Sequence, residues 1–485
     1  MKKAAVLGVD FGLTNIHSTV ISIENGALMA EAEQQYTWDC QENNCSEINP
    51  DRLWNIAQTV VANVLKKYDP EYAELCAMVL SCFGEALLAV DENGKATYPL
   101  MGSTDTRATV EAESIARDIP LHSREIGGNI APASTPSMIL WVKNNKPEAF
   151  KKAAGFYSLQ QYILIRLGLD PLNDYTMASR KMMLDIQKKI WSGTLCDYLG
   201  VLPSQLGEIV PSNTVVGEVD YFGAVALPNR LKVVIGAHDA CSSALGLGIT
   251  PGNEKLLLGN NSGTWNLMNM YLDKFANAAE MAPQLTPGSG PIANSYYFQA
   301  AGAVGPMFDW VVATLCGGRT MAEVSKMATY DATCNVRLIQ DPMTGDGRFV
   351  GLSLGNSIFD IFTGIIESIT FPMRGMLEQF ENLSGKRFNA MRISAGGAKA
   401  DNWVQLKANV LNISMERVAN LQASSLGAAM NAAVGIGYFS DYNQAIEQLV
   451  RVDRVFAPDP KMVKLYAERR EAFMSYTVKG SCFFV

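Results

Sequence analysis

The amino-acid sequence predicts an α/β protein made of two similar domains, and three observations predict it. The chain has 485 residues, 48% of them apolar and 18% charged, which is too long for one ordinary core and too apolar for disorder. Short β-rich segments alternate with stretches of helical periodicity in both halves. A pattern of strand, small polar turn and strand occurs near residue 12 and again near residue 263, about half the chain apart. The boundary falls near Thr250, giving domains of residues 1–249 and 250–485, and no low-complexity linker interrupts either.

The first domain opens on a β-hairpin. Residues 4–9 and 16–23 are β-rich, and Asp10-Phe11-Gly12-Leu13-Thr14-Asn15 between them is a turn of small and polar residues. Helical stretches follow at 51–67, 137–154 and 158–167, then a Pro/Gly-containing segment at 202–228. The β-branched run 233–235 ends at Gly236, and residues 237–248, mostly Ala, Ser, Cys, Leu and Gly, suit a closely packed helix. In the second domain residues 254–258 read as a strand, Gly259-Asn260-Asn261-Ser262-Gly263-Thr264 as the second small turn and 265–270 as the returning strand. Residues 358–383 predict a long helix with a kink at Pro372. A short strand at 391–394, the turn Ala395-Gly396-Gly397-Ala398 and a helix with Trp403, Leu406, Val410 and Leu411 on one face follow. Residues 424–437 form a further small-residue helix, for which tight packing is the expected reason, and a short helical tail closes the chain.

Composition excludes several functions. The 40 Lys+Arg against 48 Asp+Glu leave a net charge of −8, which argues against nucleic acid and against a polybasic membrane surface. Lys2 and Lys3 precede an apolar run that Asp10 ends too early for a secretory signal. No apolar stretch reaches the roughly 20 residues of a membrane helix. The tail Cys482-Phe483-Phe484-Val485 has the outline of a prenylation site without its basic cluster or a usual last residue, and reads as a hydrophobic tail. The 9 cysteines contain no CxxC pair and only 3 histidines are present, so the sequence predicts neither a zinc site nor a disulfide framework, and a reducing cytoplasm.

The candidate chemistry lies in the turns. Asp10-Phe11-Gly12 spells the protein-kinase metal motif, but the catalytic and glycine-rich loops that should precede it have no room at residue 10. Gly12 would instead let a hairpin turn approach a phosphate, with Thr14 and Asn15 donating hydrogen bonds and Asp10 facing Mg²⁺; the plain alternative is a turn and nothing more. No GxxxxGK[ST] occurs, and Gly246-Leu247-Gly248 fails the dinucleotide fingerprint. Asp239, at the junction of a strand with a small-residue helix, sits where a carboxylate could accept a hydroxyl proton or merely cap the helix. His238 beside it either touches substrate or packs. Ala395-Gly396-Gly397-Ala398, between strand and helix, suits the passage of adenosine or phosphate close to the backbone.

In their order along the chain these motifs resemble the FGGY carbohydrate kinases, essentially end to end. That family has an actin-like fold of two ribonuclease-H-like ATPase domains around a central nucleotide and sugar cleft. Asp10 to Asn15 resembles its first phosphate hairpin, Gly236 to Gly248 its catalytic-aspartate segment, Gly263-Thr264 its second phosphate hairpin and Ala395 to Trp403 its adenosine segment. Thr135 to Asn145 resembles one family signature with Met138 where a lysine is usual, and Gly347 to Glu367 the other with Gly364 for the usual Ala or Ser. The first hairpin has Leu13 for Thr and His17 for the usual Arg or Lys. Ser262-Gly263-Thr264-Trp265, His238-Asp239, Phe83-Gly84 and the runs 174–178 and 183–187 resemble the L-fuculokinase and rhamnulokinase branch, whose substrates are ketoses.

The resemblance implies ATP and Mg²⁺ as cofactors and phosphorylation of a ketose hydroxyl of the fuculose, rhamnulose or xylulose type. It implies Asp239 as catalytic base, with Gly12, Thr14, Asn15, Gly263, Thr264, Gly396, Gly397, Ala398 and Asn402 binding ATP. Gly84, Glu85, Asp105, Arg107, His238 and Asp239 would hold the sugar, although the W-x-D-x-R segment resembled by Asp105-Thr106-Arg107 lacks its Trp. Asp10 and Asp239 would hold Mg²⁺ largely through water. Alternatives are a kinase for another polyol or sugar acid, such as erythritol or gluconate, and a sugar- and ATP-binding protein whose catalysis is impaired, for which His17 and Met138 are the motive. The expected partners are a small sugar or polyol and, as a homodimer, a second copy of the chain. The phosphates would be held by backbone turns and metal, with no basic patch.

Overall fold

The computed structural model describes residues 2–41, 44–119, 126, 129–250, 257–262, 265–276, 285–303, 310, 314–315, 317, 323, 326–328, 330, 334–340 and 347–476. Two mixed sheets carry the fold. In the first, Lys3–Phe11, Asn15–Ser22 and Leu28–Gln35 run as an antiparallel meander, Ala73–Cys82 and Val225–Val234 add in parallel beside Lys3–Phe11, and Val215–Phe222 closes the edge antiparallel. The second repeats this order. Leu257–Ser262, Trp265–Leu272 and Tyr296–Ala303 form the meander, Ala390–Ser394 and Ser414–Val418 add in parallel, and Val452–Phe456 closes the edge. The short strand Thr286–Ser289 extends the second sheet beyond Tyr296–Ala303. The repeated hairpin expected from the sequence is thus part of a repeated domain.

The first hairpin forms as expected, with Asp10 inside the strand. The second differs: Gly259 to Ser262 pair with Asn269 to Asn266 as strand residues. Asn260 can occupy a buried strand position because its side-chain amide donates to Asn266 Oδ1 and Leu267 O. The turn Gly263-Thr264 lies outside the described residues, as do residues 251–256.

Helix Pro50–Lys67 starts where Asn49 accepts from Asp51 N–H and proline takes the first turn, and it buries Leu53, Trp54, Ala57, Val60, Val61 and Val64 against the first sheet. Each of the leucine and valine side chains contributes about 1.5–3 kcal/mol by leaving water. The helix expected at 137–154 is instead Thr135–Asn145 and Pro147–Lys152, because Pro147 cannot continue the first helix and opens a second. Pro372 stands inside the helix Ile358–Ser384. Gly364 there has a physical reason for not being Ala or Ser, since a Cβ would lie 2.4 Å from Val336 O.

The halves exchange helices. Asp239–Gly246 packs with Leu257, Tyr271, Tyr297 and Val418 of the second half. Helices Ala423–Gly435 and Tyr442–Leu449 pack on Val6, Ile21, Ala77, Val79 and Val234 of the first sheet. The helices cross at two glycines: a Cβ on Gly246 would lie 1.9 Å from Ala423 O and one on Gly427 1.8 Å from Ser242 O. Small residues in both helices are there for this approach, as expected for residues 424–437. Among the described residues no helix is long and apolar enough to cross a membrane, and Cys76, Cys82, Cys196, Cys241 and Cys334 are free thiols.

Candidate active site

Of the predicted site residues of the first half, Asp10, Gly84, Glu85, His238 and Asp239 gather at the carboxyl ends of the parallel strands, where open α/β sheets place their ligands. Asp10 lies opposite His17 in the hairpin and beside Ser81 of the neighbouring strand. Its Oδ1 is buried and has no hydrogen-bond partner. Burial, and secondarily the charge of Asp239, push its carboxyl up to about 7, with the Ser81 hydroxyl working the other way. Asp10 and Asp239 therefore share one electrostatic environment. Among the described residues no group of three or more His, Cys, Asp or Glu could hold a metal ion. Two carboxylates, one with an orphaned oxygen, nonetheless fit Mg²⁺, which keeps most of its waters and takes one or two carboxylates beside substrate phosphates.

Asp239 is brought to the cleft by Gly236, whose φ of +85° and close approach to the next strand exclude any side chain: a Cβ would sit 1.6 Å from Leu80 O. Asp239 is the first residue of its helix, and its Oδ1 lies 2.5 Å from Ala240 N and 3.2 Å from His238 Nε2. The carboxylate is 42% exposed, open to an incoming hydroxyl, whereas the His238 side chain is 8% exposed with Nδ1 unpartnered. His238 N–H donates to Thr176 Oγ1 at 2.8 Å, and Thr176 donates in turn to Asp174 at 2.6 Å. Buried Asp174 also accepts from Ser212 and from the N–H groups of Thr176 and Met177. Burial raises its carboxyl against those bonds, so the residue under His238 is a satisfied, rigid support.

Gly84 and Glu85 join this cluster. A Cβ on Gly84 would meet Arg180 at 3.0 Å and His238 at 3.1 Å, and Glu85, at φ +40°, forms a close ion pair with Arg180. Arg180 itself escaped the sequence reading, although it closely follows the run 174–178. Tyr297 was also missed, because a lone strand tyrosine carries no local signal. Its hydroxyl is buried and unpartnered, and it feels the charges of Asp239 and Arg180. Asp105 and Arg107 lie in a different cluster. Arg107 pairs with Asp105 and Glu47, each at 2.7 Å, and stacks on Trp141, while Asp105 accepts from Ser46 N–H. None of their polar contacts among the described residues reaches Glu85, Arg180, His238 or Asp239.

At the first hairpin Gly12 N–H donates to Asn15 O, and Tyr36 and Trp38 donate to Gly12 O and Leu13 O, which fixes the turn. Thr14 is exposed, but the Asn15 amide is taken by Glu33 at 3.1 Å. His17 pairs with Glu31 at 3.2 Å, and Gln422 of the second half donates to the same carboxylate at 2.7 Å. Met138 is wholly buried, so its position is a core site.

On the second half, Ala395 adopts φ +67° to turn the chain into Gly396–Lys399. A Cβ on Gly397 would lie 2.2 Å from Ser262 Oγ, whereas Gly396 has open space around it; Ala398 is buried. Asn402 faces a separate cavity of about 410 Å³ with Gln405, Asn409 and Tyr466. The opposite side of that helix carries Lys407, which sequence reasoning passed over. Its buried ammonium donates to Asn260 Oδ1 at 2.9 Å and Ser262 Oγ at 3.0 Å, and burial pushes it down to about 7. The available signal was a lone lysine among Trp403, Leu406, Val410 and Leu411.

Residues 5–246 match the model of the N-terminal domain of the FGGY family of carbohydrate kinases, and residues 322–436 that of its C-terminal domain. A xylulose kinase of Lactococcus lactis is 26% identical over 96% of this chain and 94% of its own length. The crystal structure of a xylulose kinase from Lactobacillus acidophilus superposes with a TM-score of 0.84 at 20% identity, covering 97% of each chain. That of a gluconate kinase from the same organism gives 0.84 at 20%, covering 98% of this chain and 97% of its own.

Proposed function

The chain belongs to the FGGY family of carbohydrate kinases, and from that premise we propose that it transfers the γ-phosphoryl group of ATP to a hydroxyl of a xylulose-type ketose. The observation that carries the reading is Asp239. It is a half-exposed carboxylate at a strand-to-helix junction, held beside His238 and opposite the buried carboxyl of Asp10. The acceptor oxygen forms the new bond to phosphorus as the bond to the β-phosphate bridging oxygen breaks, and its proton passes to the Asp239 carboxylate. Phosphoryl transfer asks little covalent chemistry of the protein, so the remaining residues act by position and charge. Glu85, Arg180, His238 and Tyr297 orient the sugar; Gly12, Gly396 and Gly397 let backbone approach the nucleotide. Mg²⁺, when bound by Asp10 and Asp239 through water, would neutralise phosphate charge.

The division near residue 250 belongs to this proposal and is supported by the family match ending at 246. So do a homodimer and a cytoplasmic location. Relatives named xylulose kinase favour that ketose over the fuculose and rhamnulose types, and the gluconate kinase likeness keeps a sugar acid as the second reading. Release of ADP measured against a panel of ketoses, polyols and sugar acids tests the proposal. Turnover with D-xylulose above all others is expected; release that no acceptor increases would overturn it in favour of a binding protein of kinase fold.

A further inference from the structure

Ser212 is a meeting point of the two halves beneath Asp239. It follows the short strand Ile209–Val210, which pairs in parallel with Asn173–Asp174, and it is wholly buried. Every polar group it carries is used. Its N–H donates to Pro291 O of the second half at 2.9 Å, and its Oγ donates to Asp174 Oδ1 at 2.6 Å. Its carbonyl oxygen accepts twice, from Asn431 Nδ2 of the exchanged helix Ala423–Gly435 at 2.7 Å and from Gly236 N–H at 3.0 Å. The second half thus grips Ser212 at two points, and Ser212 holds the segment carrying Asp239 at two more. One is direct, at Gly236, where the left-handed turn redirects the chain. The other runs through Asp174 and Thr176 Oγ1 to the N–H of His238, the residue before Asp239.

Asn431 is the only polar residue between Leu426 and Gly437, and it is wholly buried. A carbonyl can only accept, so the amide turns Nδ2 to Ser212 O, which leaves Oδ1 to accept from the Tyr442 hydroxyl. Packing alone does not ask for an amide here. Its neighbours along the helix are alanine, methionine and valine, and burying an amide is costly unless both of its ends are paired. What the asparagine adds is a directional bond between the halves, at the residue that anchors both Gly236 and His238.

We propose that Ser212 and Asn431 are positioning residues for Asp239: through them the seating of the second half on the first sets the direction of the catalytic carboxylate. This rests on the kinase reading above and goes beyond it, because the alignment of the base becomes a property of both halves.

Single-turnover transfer in the full chain to the best acceptor of the panel above tests it, with affinities for that acceptor and for the Mg²⁺ complex of a non-hydrolysable ATP analogue measured beside it. Asn431→Leu combined with Tyr442→Phe removes the bond and strands no partner, because Ser212 O keeps Gly236 N–H. Transfer should slow by about tenfold or more while both affinities stay within about threefold of the parent's. Ser212→Ala, which leaves Asp174 its bonds from Thr176, should give the same split and decides alone if the double variant does not fold. Tyr442→Phe by itself keeps the Asn431–Ser212 bond, so it should lower the thermal midpoint and leave transfer within about twofold of the parent's. Transfer near the parent's rate in the folded double variant or in Ser212→Ala, or equal slowing in Tyr442→Phe, overturns the positioning role and leaves the kinase reading intact. Failure of the unmodified chain to phosphorylate any acceptor overturns both.

Discussion

Gly427→Ala tests the crossing on which the two halves are joined. The added Cβ would lie 1.8 Å from Ser242 O, 2.7 Å from its carbonyl carbon and 2.8 Å from Gly246 N, all backbone atoms of the opposing helix. No rotamer change relieves such a contact, so the helices must separate by about 1 Å or more. Alanine in a helix interior returns about 1 kcal/mol over glycine. Overpacking costs typically 1–3 kcal/mol and more where backbone must move, so the net effect is a loss of about 2 kcal/mol. In a chain of this length that lowers the thermal midpoint by a few degrees. Calorimetric unfolding of the ligand-free protein reads it, with Gly396→Ala as control, since that Cβ meets nothing within 4 Å. The crossing also sits directly behind Asp239, so ADP release in the presence of ketose should fall with the midpoint. A midpoint equal to or above the parent's would mean that helix propensity wins and that the helices do not touch at their backbones.

Further outcomes follow from the same geometry. Gly396→Ala should leave the midpoint within about 1 °C of the parent while raising KM for ATP, which separates the adenosine segment's function from its packing. Glu85→Gln leaves Arg180, 12% exposed, without its carboxylate, and should lower stability by about 3 kcal/mol together with acceptor affinity. Asp105→Asn should cost stability through Arg107 and Ser46 and change KM for the acceptor little; a selective rise in that KM would return Asp105 to the sugar pocket. Burial pushes Lys181 and Lys407 down to about 7. The unfolded chain therefore holds more protons than the folded one above pH 7, and ligand-free stability should rise from pH 7 to about 8.5, where ionising cysteines begin to oppose it. Replacing both lysines by methionine should shrink that rise to the part due to Lys189, which burial pushes down to about 8.

The parts of the fold legible in the sequence are those with a local cause. The first hairpin, the helix Pro50–Lys67 and the small-residue helices each declare themselves by a turn, a cap or a composition. The exchange of helices between the halves was not legible, because alanine and glycine say that something approaches closely and not what approaches. The second turn was drawn too long, since Asn260 and Asn261 look like turn residues until Asn266 and Lys407 are placed beside them. Asp239, His238, Gly84 and Glu85 stand out in the sequence because their segments resemble a family. Arg180, Tyr297 and Lys407 meet their neighbours across strands and helices distant in sequence, so no local spacing reveals them. The departures His17, Met138 and Gly364 gained physical meanings: an ion pair with Glu31, a core position and a close approach to Val336.

The central claim, that Asp239 takes the acceptor proton in an ATP-dependent sugar kinase, is tested most directly by single-turnover phosphorylation of D-xylulose with Asp239→Asn, measured beside the variant's affinity for the Mg²⁺ complex of a non-hydrolysable ATP analogue. The substitution keeps size and the bond to Ala240 N–H, so nucleotide affinity should stay within a few-fold of the parent's. Loss of the base should slow transfer by about 10²–10⁴-fold, equivalent to roughly 3–5 kcal/mol of barrier. Transfer at a rate near the parent's, with nucleotide still bound, would contradict the account.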